Sequence, residues 1–289
     1  MKRHERPVLG PFDLASTVFQ RHTREVVLGA AVFVVPAVVF NLVASRFVFA
    51  RFSDFDQVAV SIPELIGGIE AATGAETLLA FLAVVINSLS VALAGGYLAA
   101  FTLRRSLNLD VSVRSVLGAT VGRIPALFAA WLVGHSWLVL GSLALVQLSG
   151  GDLAVFAVFA APVGVWLMTL TLLASPVIVI ERLGPIAGLR RAVRLGRRPA
   201  GPAWSVVVLG VVIGGGLRVL IGVLPQLVDA TGLLTFGRFG PMLEGVASQM
   251  AQLVTVPLVG LATAHCYLQW RMDREGIDLV LEADAAFDR

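Results

Sequence analysis

The chain has 289 residues, 57% of them apolar and 14% charged, with a mean hydropathy of +0.86. An ordinary soluble domain runs roughly 45–50% apolar and about 25% charged, so a soluble enzyme, a disordered chain and a fibrous chain are excluded as starting points. The net charge of +3 hides a strong asymmetry along the chain, and among its 22 basic residues Lys2 is the only lysine, a bias that fits a GC-rich bacterial genome.

In chain order, the spacing predicts a short amphipathic helix over 12–24, with Phe12, Ala15, Val18, Phe19 and His22 on one face. An uncharged run at 26–45 follows, and others lie at 77–103, 124–151, 153–180, 199–217 and 245–270. Each is close to, or longer than, the ~20 residues needed to cross a hydrocarbon core of about 30 Å. None alternates polar and apolar residues as a barrel strand would. The expected fold is therefore all-α and polytopic: a cytoplasmic N-terminus at 1–25, six transmembrane helices within 26–270, and a cytoplasmic tail at 271–289.

Arginine placement gives the direction. Eighteen basic residues lie in the N-terminal segment, the second and fourth loops and the tail, whereas Arg46, Arg51, Arg218 and Arg238 lie elsewhere. Positive charge is retained on the inner side, so both termini are expected in the cytoplasm of a bacterial inner membrane. The first span reads as a retained anchor because Glu5, Asp13 and Glu25 precede it and residues 44–46 make a poor cleavage site. In the outer loop at 46–76, Phe47, Phe49, Phe52 and Phe55 suit an aromatic belt, and 62–73 suits a surface helix. Its acids, Asp54, Asp56, Glu64, Glu70 and Glu76, are scattered and form no calcium loop.

Two more amphipathic segments precede outgoing spans. Residues 111–123 carry Val113, Val116, Leu117 and Thr120 on one face. Residues 186–198 carry Leu189, Ala192 and Val193, with Arg190, Arg191, Arg194, Arg197 and Arg198 largely elsewhere. Such helices lie in the headgroup plane, so these five arginines are candidate lipid-headgroup ligands. The expected architecture is a threefold internal repeat of interfacial helix, span out and span back, although similar basic flanks can also arise independently.

Two patterns carry a resemblance. The first is Pro176-Val-Ile-Val-Ile-Glu181 followed by Gly184-Pro185, Ala187, Leu189-Arg190-Arg191-Ala192, Leu195 and Arg197. The second is Tyr267-Leu-Gln-Trp-Arg271 continuing through Arg274-Glu275-Gly276 to Asp278-Leu279. Together they resemble the integral-membrane domain associated with bacterial glycerophosphodiester phosphodiesterases and its stand-alone relatives. The resemblance implies the membrane fold without the phosphodiesterase activity, whose metal-binding residues belong to a separate barrel domain with no expected counterpart here.

Polar residues in spans are the default functional candidates. Asn87 and His135, with the neighbouring Ser136, are candidates for a mid-membrane polar path, the alternative being ordinary interhelical hydrogen bonding. Arg218 either snorkels outward or pairs with Glu244, a candidate ion pair near the outer surface. Glu181, Tyr267, Arg271 and Glu275 gather at the inner face as a candidate clamp joining the fourth loop to the tail, the alternative being ordinary interfacial charge. Gly210 and Gly214 form a GxxxG that permits close approach within the chain or to a second copy.

Cys266 lies alone in an apolar run and reads as a small buried hydrophobe, and His265 reads as an interfacial polar group. No Cys/His spacing suggests zinc, and no HExxH, GxSxG, Walker A or nucleic-acid module occurs. The expected function is non-enzymatic and cofactor-free: a membrane protein that organises or engages anionic phospholipids or partner membrane proteins. The alternative is a small transporter or permease subunit.

Overall fold

A computed structural model describes residues 10–48, 74–137, 163–164, 166–169, 171–196, 200–232, 234, 243, 246–247 and 249–276. Among them the fold is helical, with no strand. In chain order the helices are α1 (Gly10–Arg21), α2 (Thr23–Val48), α3 (Gly74–Ser106), α4 (Val113–Val121), α5 (Ile124–Gly134), α6 (Ala174–Ile180), α7 (Pro185–Gly196), α8 (Ala200–Ala230) and α9 (Gln252–Glu275).

Four of these helices are long and apolar enough to cross a membrane: Thr23–Ala44 of α2, Phe81–Ser106 of α3, Val206–Ala230 of α8 and Gln252–Met272 of α9. The pair α4 and α5, bent by 63°, makes a fifth if counted as one span. The chain thus has the build of a multi-pass membrane protein. The runs expected to hold the third and fourth spans, 124–151 and 153–180, pass through 138–162, which lie outside the described residues. So does the surface helix expected at 62–73.

The long helices follow the uncharged runs but overrun them, because a flanking charge marks a membrane boundary and does not by itself unwind a helix. Helix α8 shows this most clearly. The run was expected to close at 217, yet the helix continues through Arg218 along Val219–Val228 to Ala230. Arg218 therefore lies midway along the apolar Val206–Ala230 window and not near its end. Its side chain and the whole of Glu244 lie outside the described residues, so the expected pair is not on view.

The three short amphipathic helices form close to where their spacing placed them, and each directly precedes a longer or continuing apolar helix. In α1 the buried positions are Pro11, Ala15 and Val18, with Phe12 and Phe19 packed beside them. In α4 they are Val116 and Thr120. In α7 they are Gly188, Ala192, Leu195 and Gly196. Pro125 stands in the first turn of α5, where its missing N–H costs nothing; it restarts the chain after the bend.

Helix α9 is the hub, packing against α1, α2, α3, α6 and α8. The core joins Tyr97, Leu98 and Phe101 of α3 to Leu127 of α5, Val177 and Ile178 of α6, and Leu261, Cys266 and Tyr267 of α9. Gly29 of α2 makes one approach unusually close: a Cβ there would lie 1.9 Å from the ring of Tyr97. The Tyr97 hydroxyl passes beneath it to donate to the Glu25 carbonyl at 2.8 Å. Gly210 and Gly214 of α8 face Val259 and Thr255 of α9, so the GxxxG is used inside the chain.

Candidate functional site

At the arginine-bearing end, α6 ends at Glu181, which caps it in right-handed geometry. Arg182 then adopts a left-handed φ of 54°, a conformation costing roughly 1–2 kcal/mol for a side chain with a Cβ. That turn sends the chain into α7 and leaves the Glu181 carboxylate facing α9. The Arg182 carbonyl is held by Arg123, whose Nη1–H donates to it at 3.2 Å.

Glu181 organises a five-residue network. The Tyr267 hydroxyl donates to its Oε1 at 2.9 Å, and Arg191 Nε–H donates to both carboxylate oxygens at 3.2 and 3.1 Å. The other arm of Arg191 bonds Glu275. Arg271 completes the ring: Nε–H donates to Glu275 Oε2 at 3.1 Å, Nη1–H donates to the Tyr267 hydroxyl at 3.1 Å, and Glu181 Oε1 lies 3.8 Å away. Two carboxylates thus balance two guanidiniums.

The four charged side chains are between 15% and 29% exposed. Burial of this degree leaves the attractions less screened than at an open surface, while each charge keeps a partner. Burial pushes the Glu275 carboxyl up, but hydrogen bonds from Arg191 and Arg271 outweigh it and hold the group below its ordinary value. Burial likewise opposes the Arg191 charge, and the Glu275 hydrogen bond together with the Glu181 charge overcomes it, raising that group. With both carboxylates facing permanently charged guanidiniums, the arrangement works as a fastener between the α6–α7 turn and the end of α9. Helix α9 stops just beyond it, at Gly276, whose left-handed φ of 57° suits glycine.

The four clamp residues Glu181, Tyr267, Arg271 and Glu275 are therefore brought together, and Arg191 joins them. Arg191 was grouped with the headgroup-facing arginines, but its guanidinium turns inward. Arg190 and Arg194 of the same helix are exposed and, among the described residues, have no hydrogen-bond or ion-pair partner. Arg197 and Arg198 lie outside the described residues.

The polar-path residues are not brought together. Asn87 Oδ1 accepts from Asn41 Nδ2 of α2 at 2.8 Å. Asn41 Nδ2 also reaches Gln249 Oε1 at 3.4 Å, and Gln252 Nε2 donates to that same oxygen at 2.7 Å. Buried Asn41 leaves its own Oδ1 without a partner. Asn87 lies only six residues, about 9 Å of helical rise, from Phe81, where the apolar window of α3 opens, so the amide cluster belongs to the end away from the arginines.

His135 instead caps α5. Its ring stacks on Trp131 at 5.7 Å, and Nδ1 lies 3.3 Å from the Trp131 carbonyl. Both line a cavity of about 30 Å³ with Ala92, Thr171 and Ser175, space for one or two waters. Ser136 is exposed and donates to the Val133 carbonyl at 2.9 Å. Asn41, Gln249 and Gln252 were missed in the sequence; the available signal was an amide inside an otherwise apolar run.

His265 Nδ1 meets the Leu261 carbonyl at 2.8 Å, and Cys266 is buried. Among the described residues no group of His, Cys, Asp or Glu is arranged to hold a metal ion. Compared with family models, with curated proteins and with solved structures, the chain matches none.

Proposed function

We propose that this chain is a six-span protein of a bacterial inner membrane, with both termini cytoplasmic, and that its role is non-enzymatic. Its arginine-bearing end gathers anionic phospholipid or a partner membrane protein, and it needs no cofactor for this. The observation that carries the proposal is the division of labour on α7. Arg191 is drawn inward to two carboxylates, whereas Arg190 and Arg194 stand outward on the face that also exposes Ile186. An exposed apolar side chain flanked by free arginines is the face an interfacial helix turns to headgroups, and each arginine near an anionic surface gains roughly 1 kcal/mol.

The three pairings of a short amphipathic helix with a following apolar helix support an internal repeat. The two motif stretches quoted above support kinship with the membrane domain of glycerophosphodiester phosphodiesterases. Native mass spectrometry of purified protein tests the function. Retained anionic lipid that falls when Arg190 and Arg194 become Gln is the expected result, and unchanged retention would remove α7 from the account.

One observation favours the second reading, a small transporter: the cavity beside His135, lined also by Trp131, whose buried indole N–H has no hydrogen-bond partner. Its water-sized volume and its separation from the Asn87 cluster weigh against a continuous path. Flux through proteoliposomes that depends on His135 would reverse that judgement.

A further inference from the structure

We propose that Arg105, with His22, forms a site for a phosphate group at the arginine-bearing end of the bundle, distinct from the Glu181 network and from the outward face of α7. The inference deepens the lipid reading and rests on it for the source of the phosphate, which is a lipid headgroup. The same chemistry would accept free phosphate, and the test separates the two.

Five described arginines are partly buried: Arg104, Arg105, Arg123, Arg191 and Arg271. Four of them have oxygen acceptors. Arg104 Nε–H donates to the Asp110 carbonyl at 2.7 Å and Arg123 to the Arg182 carbonyl, while Arg191 and Arg271 meet carboxylates. Arg105 differs. Its described side-chain partner is His22 Nε2, another base. With Nε2 facing the guanidinium as acceptor, the ring carries its proton on Nδ1, a second donor beside the arginine. A planar guanidinium with unused N–H groups beside a second potential donor is matched by an oxyanion with several acceptor oxygens, and the guanidinium fork fits phosphate bidentately.

The placement fits a lipid phosphate. His22 sits at the turn between α1 and α2, immediately before the apolar window that opens at Thr23, and Arg105 is one residue from the end of the window that closes at Ser106. Both therefore stand where apolar helix gives way to polar surroundings, the level of headgroups. The wall behind them is fixed: the buried Phe101 ring meets His22 edge-on at 5.7 Å. The site is walled by the α1–α2 turn, which carries His22, and by the end of α3, which carries Arg105. Glu25 is the described acid nearest His22 in the chain. Its backbone carbonyl takes the Tyr97 hydroxyl, and among the described residues no ion pair joins its carboxylate to His22 or Arg105. Arg21 and Arg24, exposed on the same turns, add positive potential.

The test uses the full chain, purified from vesicles of phosphatidylcholine and phosphatidic acid and read by native mass spectrometry, with a parallel thermal-shift series of delipidated protein in inorganic phosphate. The expected result is tightly retained phosphatidic acid that falls about tenfold in Arg105→Gln and less in His22→Gln. Arg105→Lys, which keeps the charge without the fork, should lie between them and serves if Arg105→Gln elutes as misfolded protein. Arg190→Gln with Arg194→Gln should lower the number of further anionic lipids retained but leave this most tightly held one in place. A phosphate-induced thermal shift that needs Arg105, without retained lipid, would keep the site and reject the lipid source. Lipid loss in the α7 variant alone would keep the lipid reading and reject the site. Equal lipid retention and equal phosphate response in wild type, Arg105→Lys and Arg105→Gln would overturn the proposal.

Discussion

Helices α8 and α9 pack on each other yet are built by opposite rules. The Val206–Ala230 window of α8 has a mean hydropathy of 2.4 and only 19% of it is buried; the Gln252–Met272 window of α9 has a mean hydropathy of 1.2 and 61% of it is buried. In a water-soluble protein the more apolar helix would be the central one. Here Val208, Val212, Leu220, Leu224 and Leu227 of α8 point outward, while α9 brings Gln252, Thr255, Thr263 and Tyr267 inside. That inversion is expected when the surroundings are hydrocarbon: apolar side chains have nothing to gain by leaving lipid, and polar groups are satisfied only by one another.

The comparison breaks most readily at the fastener of α9. Glu181→Ala should cost about 2–3 kcal/mol, since it strips the Tyr267 hydroxyl and one side of both guanidiniums of their acceptor while leaving them half-buried. A denaturation series in mild detergent reads this, and a loss below about 0.5 kcal/mol, the scale of an exposed pair, would show the network to be ornamental. Next comes a pair of glycine substitutions. Gly29→Ala drives a methyl into the Tyr97 ring and should cost about 2 kcal/mol through overpacking. Gly215→Ala on α8 meets nothing within 4 Å and should be neutral or slightly favourable; similar losses at both sites would mean that α8 has a neighbour on that face.

A smaller effect has the opposite sign. Arg182→Gly should raise stability by about 1 kcal/mol, because glycine accepts the left-handed turn and the carbonyl that Arg123 uses is kept. Destabilisation instead would reveal a role for the Arg182 side chain. The smallest effect is one of pH. The Glu275 carboxyl is held below its ordinary value of 4.5, so its contribution is fully present above that value and disappears as pH falls through the lower folded one. Thermal midpoints should drop more steeply below pH 4.5 in wild type than in Glu275→Gln; parallel curves would mean that Glu275 is not coupled to its arginines.

The uncharged runs at 26–45, 77–103, 199–217 and 245–270 marked the four long apolar helices because a bilayer demands such stretches, and the short amphipathic helices were legible because their apolar spacing is local. The sequence failed where three-dimensional neighbours decide. Arg218 looked like a terminator, yet the apolar residues beyond it extend α8 by twelve positions to Ala230. Arg191 and Arg190 are consecutive, and the 100° between them on a helix is enough to turn one into the clamp and leave the other outside. Charge density around Glu181 and Tyr267 announced the clamp, but its fifth member depended on that rotation. Asn87 and His135 looked alike as polar intruders, and only the packing of α2 and α9 around one and α5 and α6 around the other separates them.

Spin labels placed singly along α8 and α9 in bilayer nanodiscs, read for collision with oxygen and with a water-soluble nickel chelate, test the inversion most directly. Labels at Val212, Leu220 and Leu227 should show high oxygen and low nickel accessibility, and labels at Val256, Leu261 and Ala264 should show little of either. High nickel accessibility along the α8 face, or equal oxygen accessibility on the two helices, would contradict a lipid-covered α8 packed on a protein-buried α9.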